Sequence, residues 1–223
     1  MKNENVIEWI PYWKDLSEAE RQMAIQGSVI RTYRREEWIH GFSDACLGMI
    51  YVLQGSVRVF MTSSGGRDVT LFHIREGDSC ILSASCIIRE ISFEVSLIAE
   101  TATELLAIHS GTFQELMEKN LAIKCFAYEL STARFSTVVW VMQQILFMHF
   151  DERMARLLLS VYEKTGEQTI RMTQEAIAQE VNSAREVVTR MLRQFEEEGW
   201  ISLARGVVTI KDPAALQALL REL

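Results

Sequence analysis

The sequence predicts an α+β chain in three parts. These are an N-terminal β-roll (a double-stranded β-helix, or jelly roll) over residues 1–111, a long dimerisation helix over 112–150, and a C-terminal winged helix-turn-helix over 151–223. Three observations carry the prediction. Residues 28 to 110 hold short runs rich in β-branched and aromatic residues, punctuated by Gly55, Gly65, Gly66 and Gly77. From Thr112 to Phe150 there is neither Gly nor Pro, and strong helix formers and large apolar residues dominate. Beyond Met172, two short helical patterns meet at Asn182-Ser183 and are followed by a hairpin pattern.

Taken in order, Leu16-Ser17-Glu18-Ala19-Glu20 opens a short helix. Ser17 is placed to cap free backbone N–H groups, and Glu20, three residues on, to reach back and complete a capping box. The clearest hairpin joins Val57–Met61 to Val69–Ile74 through Ser63-Ser64-Gly65-Gly66, where the glycines can take the positive φ a tight turn demands. In the long helical segment, Tyr128, Ser131, Phe135, Val138, Met142, Ile145 and His149 alternate at spacings of three and four. That is a heptad seam, and it makes Tyr128, Phe135, Val138, Met142 and Ile145 the candidate interface with a second copy. Val139, Trp140, Val141, Leu146 and Phe147 lie off the seam and are expected to pack within the chain's own domain. Asp212-Pro213 starts the last helix: Asp caps it, and Pro at the first helical position loses no needed hydrogen bond.

Composition narrows the class. The 223 residues suit two compact domains, and a hydrophobic share of 48% is enough for real cores. The net charge of −7 argues at first against a nucleic-acid partner, but it is unevenly spread. From Asp151 onward 10 Lys and Arg stand against 12 Asp and Glu, so the C-terminal part is nearly neutral. Binding DNA needs a basic face and not a basic chain. MKNENVIEWIPYW has no apolar run behind a positive start, and the most apolar stretch, Val138–Phe150, is too short to cross a bilayer. No membrane partner and a cytoplasmic location are therefore expected. Cys46, Cys80, Cys86 and Cys125 lie scattered without C-x-x-C, as reduced thiols would.

The segment from Met172 to Gly199 carries the function. Thr173 is an N-cap for a first helix with Ala176, Ile177 and Val181 inward, and Ser183 is placed to cap a second. The second helix turns Val187 or Val188, Met191, Leu192 and Phe195 inward, and Gly199 supplies a left-handed stop. Such a pair seats its second helix in a major groove. The exposed start of that helix bears Arg185, Glu186, Thr189 and Arg190. Arg can hydrogen-bond twice to guanine O6 and N7, and Glu can accept from cytosine N4. Arg193, one turn on, and Arg205, at the tip of the hairpin Ile201–Ala204/Val207–Ile210, suit phosphate. The candidate DNA-binding residues are thus Thr173, Ser183, Arg185, Glu186, Thr189, Arg190, Arg193 and Arg205. A solvated face is the bland alternative for Arg185 and Glu186, and the agreement of cap, turn, apolar spacing and hairpin disfavours it.

Over nearly its whole length the chain resembles the CRP/FNR family of transcription regulators. Ser183-Ala-Arg185-Glu186-Val-Val-Thr-Arg190 is similar to the family's recognition-helix motif, and the resemblance implies base contacts from Arg185, Glu186 and Arg190. It also implies a homodimer on a palindromic site, with a half-site resembling TGTGA or TTGAT, and RNA polymerase as a further partner. Thr189 stands where the FNR branch often has Ser. In cyclic-AMP-binding members a Glu holds the ribose and an Arg neutralises the cyclic phosphate. Aligned through Ala99-Glu-Thr-Ala102, those positions hold Leu82 and Phe93 here. A buried phosphate would lack a counter-ion, which is costly. Cyclic AMP is accordingly not expected, and an unknown small-molecule effector is expected in a pocket drawn from Gly77, Cys80, Leu82, Ser83, Cys86 and Phe93.

No cofactor is expected. An iron–sulfur centre needs clustered cysteines near the N-terminus, and none precedes Cys46. His40, His73, His109 and His149 have no metal-ligand spacing and give no support to haem. Cys80 and Cys86 read first as small buried residues, with a thiol redox pair as the sharper alternative. A thiol oxidoreductase is the best enzyme alternative, weakened by the lack of C-x-x-C. No phosphate loop, G-x-S-x-G or paired metal ligands occur, so a non-enzyme is expected.

Overall fold

The computed structural model describes residues 7–40, 47–81 and 95–220. The chain divides into two compact units, residues 1–67 with 71–139, and residues 68–70 with 140–223.

In the first unit a 3-10 turn (Trp13–Asp15) precedes helix α1 (Glu18–Gln26). The capping box forms as the sequence predicts: the Glu20 N–H donates to Ser17 Oγ at 3.4 Å, and the Ser17 N–H donates to Glu20 Oε2 at 2.7 Å. Hydrogen bonds from Ser17, first among several contacts, hold the Glu20 carboxyl below its ordinary pKa. Among the described residues eight strands follow: β1 (Ser28–Tyr33), β2 (Trp38–His40), β3 (Met49–Gln54), β4 (Ser56–Thr62), β5 (Asp68–Arg75), β6 (Ser79–Cys80), β7 (Ser96–Ala99) and β8 (Thr103–Ile108). They form two four-stranded sheets, ordered β1-β8-β3-β6 and β2-β7-β4-β5. Strand β8 runs antiparallel to both β1 and β3, with Leu106 opposite Ile30 and Tyr51. The β4–β5 hairpin lies where expected, but of its two turn glycines only Gly66, at φ 77°, takes a left-handed conformation.

Apolar side chains from both ends of this unit share one core. Ile7, Ile10, Tyr12 and Leu16 meet Met49, Leu106, Ile108, Phe113, Ile123 and Ala127. The Tyr12 ring lies 5.0 Å from that of Phe126, and its hydroxyl is buried with no hydrogen-bond partner among the described residues. Burial pushes the Tyr12 phenol well above its ordinary pKa. An unpaired buried hydroxyl costs about 1–3 kcal/mol, so Tyr12→Phe is expected to leave the protein equally or more stable by about that amount. Chemical denaturation of both proteins measures it; a loss of more than 1 kcal/mol would mean the hydroxyl has a partner.

The helical stretch expected over 112–150 is not one helix. It is divided between α2 (Ser110–Lys119) and α3 (Leu121–Phe147), with the next helix, α4 (Phe150–Thr165), already beginning at its end. Asn120 makes the first break. Its Oδ1 accepts from the N–H of Ala122 at 2.9 Å and of Ile123 at 3.4 Å, capping α3, while its Nδ2 donates to Asp15 O at 2.9 Å. Among the described residues no helix is long and apolar enough to cross a membrane.

In the second unit α4 is followed by β9 (Thr169–Ile170), α5 (Gln174–Glu180), α6 (Arg185–Glu197), the hairpin β10 (Ile201–Ala204) and β11 (Val207–Ile210), and α7 (Pro213–Ala218). The sheet order is β10-β11-β9. Met154, Leu158, Ile177, Val188, Leu192, Phe195, Ile210 and Leu216 form its core. Asp212 Oδ1 accepts from the Ala215 N–H at 3.0 Å and Pro213 holds the first helical position, as read from the sequence.

Candidate nucleic-acid interface

Helices α5 and α6 form the helix-turn-helix. Thr173 caps α5, its Oγ1 accepting from the Ala176 N–H at 3.1 Å. Ile177, Ala178 and Val181 are buried, whereas Ala176 is only half-buried, so Ala178 takes the inward position expected of Ala176. Asn182, at φ 50°, makes the turn; short polar side chains tolerate this left-handed geometry best. The expected cap of α6 by Ser183 does not form. The N-cap is Ala184, without a side-chain hydrogen bond, and the Ser183 N–H closes the turn on Ala178 O at 2.9 Å.

Helix α6 is two-faced. Val188, Leu192 and Phe195 are buried, and Met191 and Val187 are half-buried beside them. Arg185, Glu186, Arg190 and Arg193 are exposed. At about 100° per residue these four spread over an arc of about 140°, centred away from the core. Thr189 lies on the same face but is less free: its hydroxyl can donate to Gln174 Oε1 at 2.7 Å or to Arg185 O at 2.8 Å. The first bond ties α5 to α6 across the turn, and no sequence signal marked Gln174 for this. Gly199, at φ 80°, ends the helix as predicted.

The β10–β11 hairpin turns at Arg205-Gly206, so Arg205 stands exposed at its tip. Its position relative to α6 is fixed by Glu196, whose Oε1 accepts from the Leu203 N–H on the outer edge of β10 at 2.7 Å. Glu196 is a second residue that sequence reasoning missed. Between hairpin and helices lies an open cleft of about 490 Å³, lined by Thr173, Gln174, Arg185, Leu203, Arg205 and Gly206. The cleft brings together two guanidinium groups and an amide and hydroxyl, with no carboxylate among its lining residues, a setting suited to anions.

The candidate effector residues fare differently. Gly77 sits in an exposed turn, and Cys80 is fully buried on β6 opposite Ile50. Leu82, Ser83, Cys86 and Phe93 lie outside the described residues. Beside β6 the structure adds Arg134 of α3, whose Nη2 donates to Ser79 O at 3.0 Å and whose guanidinium lies 4.8 Å from the Phe72 ring centre. On α3 the expected seam is mostly open. Phe135 is 69% exposed, Tyr128 and Met142 are each 52% exposed, Ile145 is at the margin, and Val138 is half-buried.

Comparison with known proteins agrees with this architecture. Residues 152–219 match the Crp-like helix-turn-helix domain, and residues 30–120 match the cyclic nucleotide-binding domain. The chain is 35% identical to a transcriptional regulator of the Crp/Fnr family from Eubacterium rectale, with a TM-score of 0.87 over 96% of this chain and 100% of that one. It is 23% identical to the cyclic AMP receptor protein of Thermus thermophilus, covering 94% of this chain and 96% of that protein. It is 21% identical to the global nitrogen regulator of a Nostoc species, covering 91% and 95%. With both domains matched in order along one chain, the protein belongs to the CRP/FNR family and is a DNA-binding transcription regulator.

Proposed function

We propose that the protein is a homodimer that reads a two-fold symmetric DNA site and is controlled by an effector other than a cyclic nucleotide. The observation that carries the reading is the exposed Arg185–Glu186–Arg190 face at the start of α6, held on a buried core and flanked by Arg205 on the wing. Arg185, Glu186 and Arg190 contact base edges; Arg193 and Arg205 contact phosphates, with Thr173, Ser183 and Thr189 near the backbone. Symmetric half-sites need two readers one helical turn apart, which a two-fold dimer through α3 supplies. RNA polymerase is the partner through which such a regulator acts. The test is a gel shift at fixed salt with palindromes built on TGTGA and on TTGAT half-sites. One of the two is expected to bind at least 1,000-fold more tightly, in round numbers, than a scrambled duplex. Equal binding of all three overturns the reading.

The effector part rests on Leu82 and Phe93, which stand where cyclic-AMP-binding relatives hold the ribose and the phosphate. Neither cyclic AMP nor cyclic GMP is expected to stabilise the fold. A ligand present at about 100 times its dissociation constant adds about 2.7 kcal/mol, or about 5–10 °C in a chain of this size. No shift is expected in a thermal melt with either nucleotide, and a clear one with cyclic AMP overturns this part alone.

A further inference from the structure

The turn between α5 and α6 is held from outside the helix pair, because Val181 and Asn182 are each bonded to another element. Val181 O accepts from Arg153 Nη1 of α4 at 3.1 Å. Asn182, only 7% exposed, meets Thr70 at the start of β5, a stretch (Asp68–Thr70) that belongs to the second unit. The Thr70 N–H donates to Asn182 Oδ1 at 2.7 Å, and Asn182 Nδ2 donates to Thr70 O at 3.0 Å. In a strand the N–H and C=O of one residue point the same way, and the Asn182 amide bonds both, as a neighbouring strand would.

We propose that Asn182 is a positioning residue for DNA reading, with the backbone of Asp68–Thr70 as the splint against which it sets the start of α6. The proposal rests on base reading by α6 as given above and names what holds that helix in place. Helix α6 has no side-chain cap of its own, since Ala184 stands at its N-cap. Asn182 lies three residues before Arg185 and four before Glu186, the first side chains of the reading face. Groups that recognise a partner must stay within about 0.5 Å and 10–20° of their productive place, and hydrogen bonds behind them keep them there. Asn182 has the left-handed φ of 50° that the turn needs, which glycine would supply at least as well. What glycine lacks is the amide, whose two polar atoms both engage Thr70. The bonds leave the reading face open: Asn182 is buried while Arg185, Glu186 and Arg190 are exposed. The contact supports the reading head and does not cover it.

The test uses the full-length protein and two substitutions, titrated at fixed salt on the palindrome the parent prefers and on a scrambled duplex. Asn182→Gly keeps the turn conformation and removes the amide. It is expected to bind the palindrome about 10-fold more weakly than the parent and the scrambled duplex within about 2-fold, because phosphate contacts tolerate a loosened helix better than base contacts do. Asn182→Asp keeps the acceptor for the Thr70 N–H but sets its second oxygen against the Thr70 carbonyl. At about pH 8 it is expected to lose at least as much as Asn182→Gly. Toward about pH 5.5, burial and that carbonyl favour the protonated carboxyl, whose O–H donates to Thr70 O, and affinity returns to within about 2-fold of the parent. The charged residues on the elements meeting at this turn include Asp68, Arg153, Glu180, Arg185 and Glu186, and comparison with the parent at each pH removes their contribution. A contact that only stabilised the fold would lower the melting temperature and leave the palindrome-to-scrambled ratio alone. An unchanged ratio in Asn182→Gly, or a loss in Asn182→Asp that is the same at both pH values, overturns the proposal while leaving base reading standing. A parent that binds both duplexes equally overturns both.

Discussion

Phe135→Glu combined with Met142→Glu is expected to give a folded monomer that binds a palindromic site at least 100-fold more weakly than the parent. Both side chains are more than half exposed in the single chain, so the charges meet water in a monomer and the first unit's core, around Met49, Leu106 and Phe113, is untouched. In a dimer the same four carboxylates would be buried against one another without counter-ions, which no packing can offset. Affinity falls because the second half-site is no longer delivered at high effective concentration, a gain of about 10²–10⁴ when geometry allows. Binding to a single half-site is expected to stay unchanged, which separates lost dimerisation from a damaged reading head. Sedimentation velocity and titration of full and half-sites decide it. A dimeric double variant, or one that keeps full-site affinity, removes α3 from the interface.

Most of the architecture was legible because local chemistry and global fold agree. The Ser17–Glu20 box, the Thr173 and Asp212 caps and the Gly199 stop all formed where the residue types demanded them. The misreadings have physical causes. Asn120 was hidden by its strong helix-forming neighbours, although an asparagine oxygen facing two free N–H groups is a cap signal. Ser183 was read as a cap because it was the nearest hydroxyl, but the chain spends its backbone N–H on the turn and starts α6 at Ala184 unaided. On α3 apolar residues occur on every side, so periodicity alone admits several seams. The packing of Ile123, Ala127 and Arg134 against their own unit takes one side of the helix out of the choice, which its apolar pattern does not reveal. Gln174 and Glu196 act through contacts that join separate elements, and such pairings carry no spacing signal.

Arg185→Ala and Arg205→Ala are expected to fail in different ways, and that difference tests the division of labour at the interface. Arg185 opens the exposed face of α6, where a guanidinium can make two hydrogen bonds to a guanine edge. Its loss should cost about 1–3 kcal/mol per half-site, twice that for the dimer, and should relax the preference at one symmetric base-pair position. Binding to scrambled DNA should hardly change. Arg205 sits at the wing tip, held to α6 through Glu196 and Leu203. Its loss should weaken specific and scrambled DNA alike and reduce the slope of log affinity against log salt by about 1.8, one phosphate contact from each subunit. Glu196→Ala should reproduce part of the Arg205→Ala effect without removing a positive charge, because it frees the wing that carries the arginine. Titrations of both substitutions on specific and scrambled duplexes at several salt concentrations measure all of this. If Arg185→Ala weakened both duplexes equally, the guanidinium would be bound to phosphate, and base reading would have to start at Arg190.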